Sequence, residues 1–191
     1  ADSFKYFADI LEKTEDFDKK VDELIRDTVA KHRRIIFNGN NYSNEWVEEA
    51  KRRGLPVLSS APEAVDCLIE EKNIKLFERF GIFSKTDIIS RHEIKLENYC
   101  KIISIESKTM IEIAKREILP SSMNYASNIY SSVAIKKEIG LDISCEMKQA
   151  SYISDNIANL SKCIAKLEDL TENAENSYDF KDKVVTAMKE L

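Results

Sequence analysis

Apolar residues recur along most of the chain at intervals of three and four positions, which is the spacing of one face of an α-helix. The longest such stretch begins after Ser84, and the most regular one lies between residues 150 and 167. Their inward positions are Leu96, Cys100, Ile103, Ser107, Met110 and Ala114 in the first stretch, and Ala150, Ile153, Ile157, Leu160, Ile164 and Leu167 in the second. Both rows follow a heptad-like seam, so the pattern predicts two long helices that pack through these side chains.

Shorter amphipathic stretches flank these two helices. The one that follows Thr14 is expected to bury Val21, Leu24, Ile25, Thr28 and Val29. Residues that favour the position before a helix precede several stretches, namely Thr14, Ser43, Ser144 and two capping boxes, Ser60 with Glu63 and Ser84 with Asp87. Pro120 lacks a backbone N–H, so we expect a kink or a break in the long helix there.

The chain contains few of the residues that punctuate β-structure. It has 4 Gly and 3 Pro, and residues 35–37 are the only candidate strand, which would lack a partner. The predicted fold class is all-α, a helical bundle with two or three long antiparallel helices plus several short helices. Residues 1–34 supply the leading helices, residues 35–83 an Asn-rich turn with short helices, and residues 84–191 the long-helix bundle. We expect these segments to form one compact helical domain.

The composition limits the classes of partner. Hydrophobic residues make up 43% of the 191 and charged residues 33%, so a core can form while the charged faces are solvated. The net charge of −5 argues against nucleic acid as a partner. No apolar run is long enough to span a membrane. The four cysteines are dispersed, which predicts small buried hydrophobic residues in a reducing, cytoplasmic setting.

Residues that catalyse reactions or bind metals form no recognisable pattern. A di-iron bundle requires a Glu three residues before a helical His, but Ile89 occupies that place relative to His92. His92 is therefore interpreted as a surface or partly buried helical residue. Ser121 and Ser122 lack the elbow motif of a nucleophilic serine. We predict no catalytic, cofactor-binding or metal-binding residue in this chain, and a structural or interaction role.

One short segment differs from the charged helices around it. Residues 33–56 read RRIIFNGNNYSNEWVEEAKRRGLP and combine several asparagines with the single Trp of the chain. In one interpretation Asn38-Gly39 reverses the chain and the aromatic residues fix the turn to the bundle. In a second the turn is a protein interface, to which amide and aromatic side chains are suited; a small-molecule site is a third. The candidate interface residues are Phe37, Asn38, Asn40, Asn41, Tyr42 and Trp46.

The same segment resembles the bacterial type III glutamine synthetases. Two further runs resemble that family in the same order, EEKNIKLFERFGIFSKTDIISRHEIKLENYCKIISIESKTMIEIAKREILP at residues 70–120 and FADILEKTEDFDKKVDELIRDTV at residues 7–29. Asn41 stands where the resemblance leads us to expect Gly, and His92 stands where Tyr is commoner. Residues 121–191 fit the resemblance only as a helical tail.

The resemblance implies a parent enzyme that joins ammonia to glutamate using ATP, through γ-glutamyl phosphate and with Mg or Mn ions. The catalytic motifs of that family belong to an N-terminal β-grasp and an α/β catalytic domain, and none of them occurs in this chain. The resemblance therefore implies the C-terminal helical domain of a ligase of nitrogen metabolism, inactive alone and without a cofactor of its own. Its expected roles are subunit assembly, packing or regulation, and its expected partners are the catalytic domain and the neighbouring subunits of an oligomer.

Two alternatives stay open. A free-standing helical interaction module would begin near Ala1 and would self-associate through the seam at residues 150–167. A helical metal or redox bundle would contain bound iron or zinc. The helix-like pattern at Ala1 favours a piece of a longer polypeptide, which is expected to self-associate through apolar surface that its missing neighbours leave exposed.

Overall fold

The structure of this chain is a computed structural model that describes residues 2–191, so the prediction made for Ala1 lies outside the described residues. No strand occurs within residues 2–191, which confirms the all-α prediction and excludes a strand at residues 35–37. The α-helices are α1 (Asp2–Leu11), α2 (Phe17–Lys31), α3 (Asn44–Arg52), α4 (Ala61–Asp66), α5 (Glu71–Arg79), α6 (Lys85–Ile113), α7 (Leu119–Glu138), α8 (Ser144–Glu172), α9 (Ser177–Asp179) and α10 (Val185–Glu190).

The chain divides into two compact units, Ala1–Leu58 and Ser59–Leu191. The first unit contains α1 to α3, and the second contains α4 to α10. In the first unit the carboxylate of Asp16 caps α2, because it accepts a hydrogen bond from the backbone N–H of Lys19 at 3.2 Å. The prediction that Thr14 caps this helix was therefore wrong: α2 begins at Phe17, and Asp16 is the polar residue next to its first turn.

The predicted buried face of α2 is only partly covered. No residue of α2 is buried, and Ile25 and Val29 are 57% and 49% exposed. The prediction that these two side chains are buried was wrong for a physical reason. The periodicity identified an apolar face correctly, but α1, which packs on α2, has 10 residues and leaves part of a 15-residue helix uncovered.

In the second unit one continuous helix of 54 residues runs through α6 and α7. Pro120 lies in its interior, so the helix is not broken there; a kink at this residue stays a prediction. The helix continues through a π-helical turn at Ala114–Ile118, immediately before the proline. This wider turn changes the hydrogen-bond register just where Pro120 removes a donor and where its ring would press on the carbonyl of Arg116.

The two predicted seams meet in the core of the second unit and are confirmed. After a short connection at residues 139–143, α8 returns along α7, as expected of antiparallel helices. Two buried hydroxyls lie between the seams: Thr171 donates to the Oγ of Ser107 at 3.2 Å, and Ser107 donates to the carbonyl of Ser104 at 3.1 Å. The core cluster comprises Ile111, Ala114, Ile164, Leu167, Phe180, Val184 and Ala187.

The predicted caps of the second unit meet different outcomes. Ser84 and Asp87 form both hydrogen bonds of a capping box at the start of α6, as predicted. Ser60 precedes α4, but its hydroxyl does not cap that helix. At the start of α8 the carboxylate of Asp142 accepts the backbone N–H of Ser144 at 3.0 Å, so the prediction of Ser144 as the cap was wrong. The Ser144 hydroxyl instead donates to the same carboxylate at 2.9 Å, a local hydrogen bond that takes the place of capping the first turn of α8.

Candidate functional site

The candidate interface residues lie in the first unit, in a turn at residues 37–46 that we call the aromatic turn. Asn40 organises it. Its Oδ1 accepts the backbone N–H of Tyr42 at 3.0 Å, and its carbonyl accepts the backbone N–H and the hydroxyl of Ser43 at 3.1 and 2.8 Å. A side-chain carbonyl that bonds the backbone two residues on forms an Asx turn. The Ser43 hydroxyl is used in this way and does not cap α3, so the prediction of Ser43 as a cap was wrong.

Gly39 serves the turn differently from the prediction. The glycines with positive φ in the described part of the chain lie elsewhere, so Asn38-Gly39 does not provide the reversal through left-handed backbone. A Cβ at position 39 would lie 2.4 Å from Cζ of Phe37, which is closer than carbon atoms can approach. Glycine is needed here because the Phe37 ring lies against the backbone.

The Phe37 ring is also packed against Trp46, the first-turn aromatic residue of α3. The two ring centroids are 4.8 Å apart, within the range of favourable aromatic contacts, and the planes are inclined by 38°. Both side chains are half-buried. The pair therefore ties the segment before the turn to the helix after it.

Arg53 fixes the same segment from the end of α3. Its Nη1 donates to the carbonyls of Arg34, at 3.2 Å, and of Ile36, and its Nε donates to Glu49 at 2.5 Å. Hydrogen bonds from Arg52 and then Arg53 lower the pKa of Glu49 to about 2. Sequence reasoning missed Arg53, because its backbone partners lie 17 and 19 residues away. The only local signal is a basic helix end, which the helix dipole explains equally well.

The structure brings the six candidate residues into one turn but gives them two kinds of surroundings. Phe37 and Trp46 are half-buried and hold the turn together. The three candidate asparagines are exposed, and Tyr42 is 100% exposed. The turn therefore presents an aromatic side chain and several amides to solvent on a backbone fixed by internal hydrogen bonds.

A second cluster, which sequence reasoning did not find, joins three helices of the second unit. Asp66 at the end of α4 lies 2.7 Å from Nε2 of His92 in α6, and its other oxygen accepts the hydroxyl of Tyr178 in α9. His92 is half-buried, in agreement with its sequence interpretation. The hydrogen bonds from Tyr178 and His92 hold the pKa of Asp66 below its usual range. These partners lie 26 and 112 residues from Asp66, so no local spacing reveals the cluster.

A salt bridge lies beside this cluster. Nζ of Lys181 is 2.6 Å from the carboxylate of Glu63 in α4 and 5.5 Å from the centre of the Tyr178 ring. The hydrogen bond from Lys181 is the main reason that the pKa of Glu63 falls to about 2, and Glu63 in turn raises the pKa of Lys181. The salt bridge and the cluster together fasten the C-terminal helices to α4 and α6.

The side chains that the structure describes do not form a metal site. Within residues 2–191 no group of three or more His, Cys, Asp or Glu side chains is placed to hold a metal ion. Cys145 is exposed and the other cysteines are half-buried, so the prediction of four buried cysteines was wrong. In the described part of the chain, no helix combines the length and the apolar character that crossing a membrane requires.

The fold is all-α and consists of two units, and the candidate site is a surface turn of the first unit. The family of the chain follows from comparison with known proteins. The family model of the glutamine synthetase C-terminal domain matches residues 20–137, which is more than half of the chain. This chain therefore belongs to the glutamine synthetase C-terminal domain family, as the resemblance implied.

Three relatives show how much of such proteins the chain represents. It is 37% identical over 183 residues to a glutamine synthetase of Butyrivibrio fibrisolvens, covering 91% of this chain and 26% of that protein. It is 42% identical over 111 residues to a type-3 glutamine synthetase of Dictyostelium discoideum, covering 58% and 15%. It is 25% identical over 172 residues to a glutamine synthetase of Bacteroides fragilis (strain YCH46), covering 87% and 24%. The chain thus spans about a quarter or less of their length.

Proposed function

We propose that this domain serves the assembly of an ATP-dependent glutamine synthetase and does not itself join ammonia to glutamate. In this proposal the aromatic turn docks onto the catalytic part of the enzyme or onto a neighbouring subunit. Through that contact the domain would help to pack the subunits of the parent oligomer or to regulate them.

The observation that carries the proposal is the full exposure of Tyr42 on a fixed backbone. Tyrosine is enriched at protein interfaces, where its ring is buried and its hydroxyl finds a partner. Asn40 already holds the turn by internal hydrogen bonds, and Arg53 holds the segment that leads into it. Binding through such a turn costs little conformational entropy, because the backbone does not have to be ordered when the partner arrives.

The chemistry is assigned to the rest of the parent enzyme. ATP and Mg or Mn ions would bind in its catalytic part, since the described side chains of this domain offer no group of metal ligands. The free cysteines suit the reducing cytoplasm, where we place the enzyme. The free-standing interaction module remains the alternative.

The proposal is tested on the protein in its source cells. An antibody raised against this chain should detect a band several times heavier than 21.9 kDa. The purified parent should form glutamine from glutamate, ammonia and ATP. In that parent, Tyr42→Ser should lower the assembled fraction in sedimentation velocity and leave the far-UV circular dichroism unchanged.

The matched control is Tyr152→Ser, which removes another exposed tyrosine, this one from α8, and should not affect assembly. A band near 21.9 kDa would favour the free-standing module instead. Unchanged assembly of the Tyr42→Ser enzyme would rule out the aromatic turn as the docking surface.

A further inference from the structure

The long helix of the second unit exposes an apolar face away from its core seam. Four side chains of α6 form this isoleucine stripe: Ile94, Ile102, Ile105 and Ile113, which are 63%, 46%, 65% and 43% exposed. At about 100° per residue they fall within an arc of about 100°, and buried Ser107 lies on the opposite side of the helix. A row of large apolar side chains in water marks a contact surface.

The stripe is symmetric along the helix. Exposed Asn98 and Thr109 lie on the same face, between the isoleucines. Positions 94, 98, 102, 105, 109 and 113 are separated by steps of four, four, three, four and four. In both directions these six positions read apolar, polar, apolar, apolar, polar, apolar, and the charged residues Lys95 and Glu112 lie at the two edges of the same arc, in equivalent places about its midpoint. A second copy of the helix, turned end to end, therefore presents the same pattern.

This symmetry defines a register for two antiparallel helices. A two-fold axis at the midpoint between residues 103 and 104 sets Ile94 against the partner's Ile113, and Ile102 against the partner's Ile105. It also sets Asn98 beside the partner's Thr109. The Thr109 hydroxyl donates to the carbonyl of Ile105 at 2.8 Å, which leaves its oxygen to accept from the side-chain amide of the partner's Asn98.

Charged residues on one flank of the stripe agree with the same register. Glu97 and Lys108 are 11 residues apart, about three helical turns, so they lie on the same flank. Pairing about the two-fold axis brings Glu97 within about 3 Å, along the helix axis, of the partner's Lys108. Glu97 already pairs with Lys101 at 2.7 Å, and Lys101 lies on the same flank at the same axial distance from the partner's Lys108, so Glu97 would bridge two lysines.

Like charges at the two ends of the stripe are engaged within the chain. The register sets Arg91 opposite the partner's Arg116. The Arg91 guanidinium lies 4.3 Å from the centre of the Phe83 ring, and Arg116 pairs with Glu112 at 2.7 Å. Both are turned towards neighbours in their own chain, which reduces the repulsion between them.

We propose that two copies of this domain pair antiparallel through the isoleucine stripe, with Ile102 and Ile105 at the two-fold axis. The proposal rests on the assembly role proposed above and names one surface and one partner for it, a second copy of this chain. The seam at residues 150–167, expected to self-associate in a free-standing module, is not available, because Ala150, Ile164 and Leu167 are buried within the unit.

The test uses the 191-residue chain in sedimentation equilibrium. The wild-type chain should have a mass of about 44 kDa, twice 21.9 kDa, at micromolar concentration. Ile105→Lys should raise the dissociation constant at least about tenfold, because it places two lysines at the centre of the pair. The matched control is Ile135→Lys, an exposed isoleucine of α7 outside the stripe, which should leave the mass unchanged.

A charge exchange tests the register without altering the apolar residues. Glu97→Lys alone should weaken the dimer, because it faces the partner's Lys108, and Glu97→Lys with Lys108→Glu should restore it. A monomeric wild-type chain overturns the proposal. So does a dimer that Ile105→Lys leaves intact, or one whose affinity the double exchange does not recover.

Failure of this proposal is distinguishable from failure of the proposed function. If the stripe variants behave as wild type while Tyr42→Ser impairs the parent enzyme, the assembly role stands and uses the aromatic turn alone. If the source cells contain only a 21.9 kDa protein that dimerises through the stripe, the pairing stands and the role in glutamine synthetase falls.

Discussion

The two units of this chain are built from the same kind of amphipathic helix, but only the second encloses a core. Its seven core residues form one cluster, in which Leu167 and Val184 have no exposed surface. Among the described residues 2–58 of the first unit, only Ala50 is buried. An apolar helix face therefore indicates that some surface covers it, and the covering surface need not belong to the same unit.

The difference has an energetic consequence. Burying one large apolar side chain contributes about 1.5–3 kcal/mol, so the second unit gains stability from each member of its cluster. The large apolar side chains of the first unit are at most partly buried, so each contributes less, and isolated helices of this length are marginal in water. We expect the first unit to unfold more easily and to depend on whatever binds its exposed apolar residues.

The largest expected effect comes from the core of the second unit. Leu167→Ala should lower the free energy of unfolding by about 2–5 kcal/mol, because the fully buried site cannot collapse around the missing atoms. Urea titration followed by far-UV circular dichroism measures the change, since most helical residues belong to the second unit.

A matched substitution in the first unit sharpens the contrast. Ile25→Ala should cost less than about 1 kcal/mol, because the side chain is more than half exposed. Trp46 is the single tryptophan of the chain, so its fluorescence follows the first unit alone. If Leu167→Ala moved the Trp46 transition as far as the circular dichroism transition, the two units would unfold together and the comparison would fail.

Much of this fold could be predicted from the sequence, because helical periodicity depends on local spacing. The seam through Ile164 and Leu167 was predicted correctly, and both residues are buried. The row on α2 has the same kind of spacing, yet Ile25 and Val29 in it are exposed. Periodicity cannot tell these cases apart, because burial depends on a neighbour that the local sequence does not specify. The passage through Pro120 also depends on a π-helical turn that no residue type announces.

The sequence predicted where the candidate site lies but not the hydrogen bonds that hold it. Unusual composition located the aromatic turn, and Asn-Gly suggested its reversal. The structure instead uses Asn40, whose side chain binds its own backbone, and Arg53, which reaches back to carbonyls 17 and 19 residues earlier. An Asx turn is compatible with many sequences that contain asparagine, and a contact over that distance has no sequence period, so neither could be chosen beforehand.

A smaller effect is expected in the first unit from Gly39→Ala. The new Cβ would meet the Phe37 ring, so the ring must leave its position against Trp46, at a cost of about 1–3 kcal/mol. The emission of Trp46 should shift and its urea midpoint should fall, while the circular dichroism transition of the second unit stays in place.

The control for this clash removes the ring instead of the glycine. With Phe37→Leu already present, adding Gly39→Ala should cost much less, because a shorter side chain can make room. Equal costs in the two backgrounds would mean that Gly39 is needed for its backbone conformation, which would contradict the close approach of Phe37.

The smallest effect concerns the acid sensitivity of the second unit. The pKa of Glu63 is about 2, below its ordinary value of 4.5, chiefly because Lys181 donates a hydrogen bond to it. A carboxyl with a lowered pKa contributes stability above the ordinary value and loses it as the pH falls towards the lowered one. Glu63→Gln should therefore reduce the urea midpoint at pH 6, and its difference from wild type should shrink between about pH 4.5 and pH 2.

The partner of Glu63 provides the decisive control. Lys181→Met should remove most of the same acid-dependent loss of stability, because the Glu63 carboxyl then titrates closer to its ordinary pKa.

The raised pKa of Lys181 predicts a second loss at alkaline pH. The stability that the Lys181 ammonium contributes is complete below its ordinary pKa of 10.5 and declines as the pH rises above that value. Since this salt bridge holds α4 against the C-terminal helices, both losses should appear in the circular dichroism transition and not in the emission of Trp46. An acid-dependent change confined to Trp46 would show that the first unit carries the sensitivity, against the location of the salt bridge.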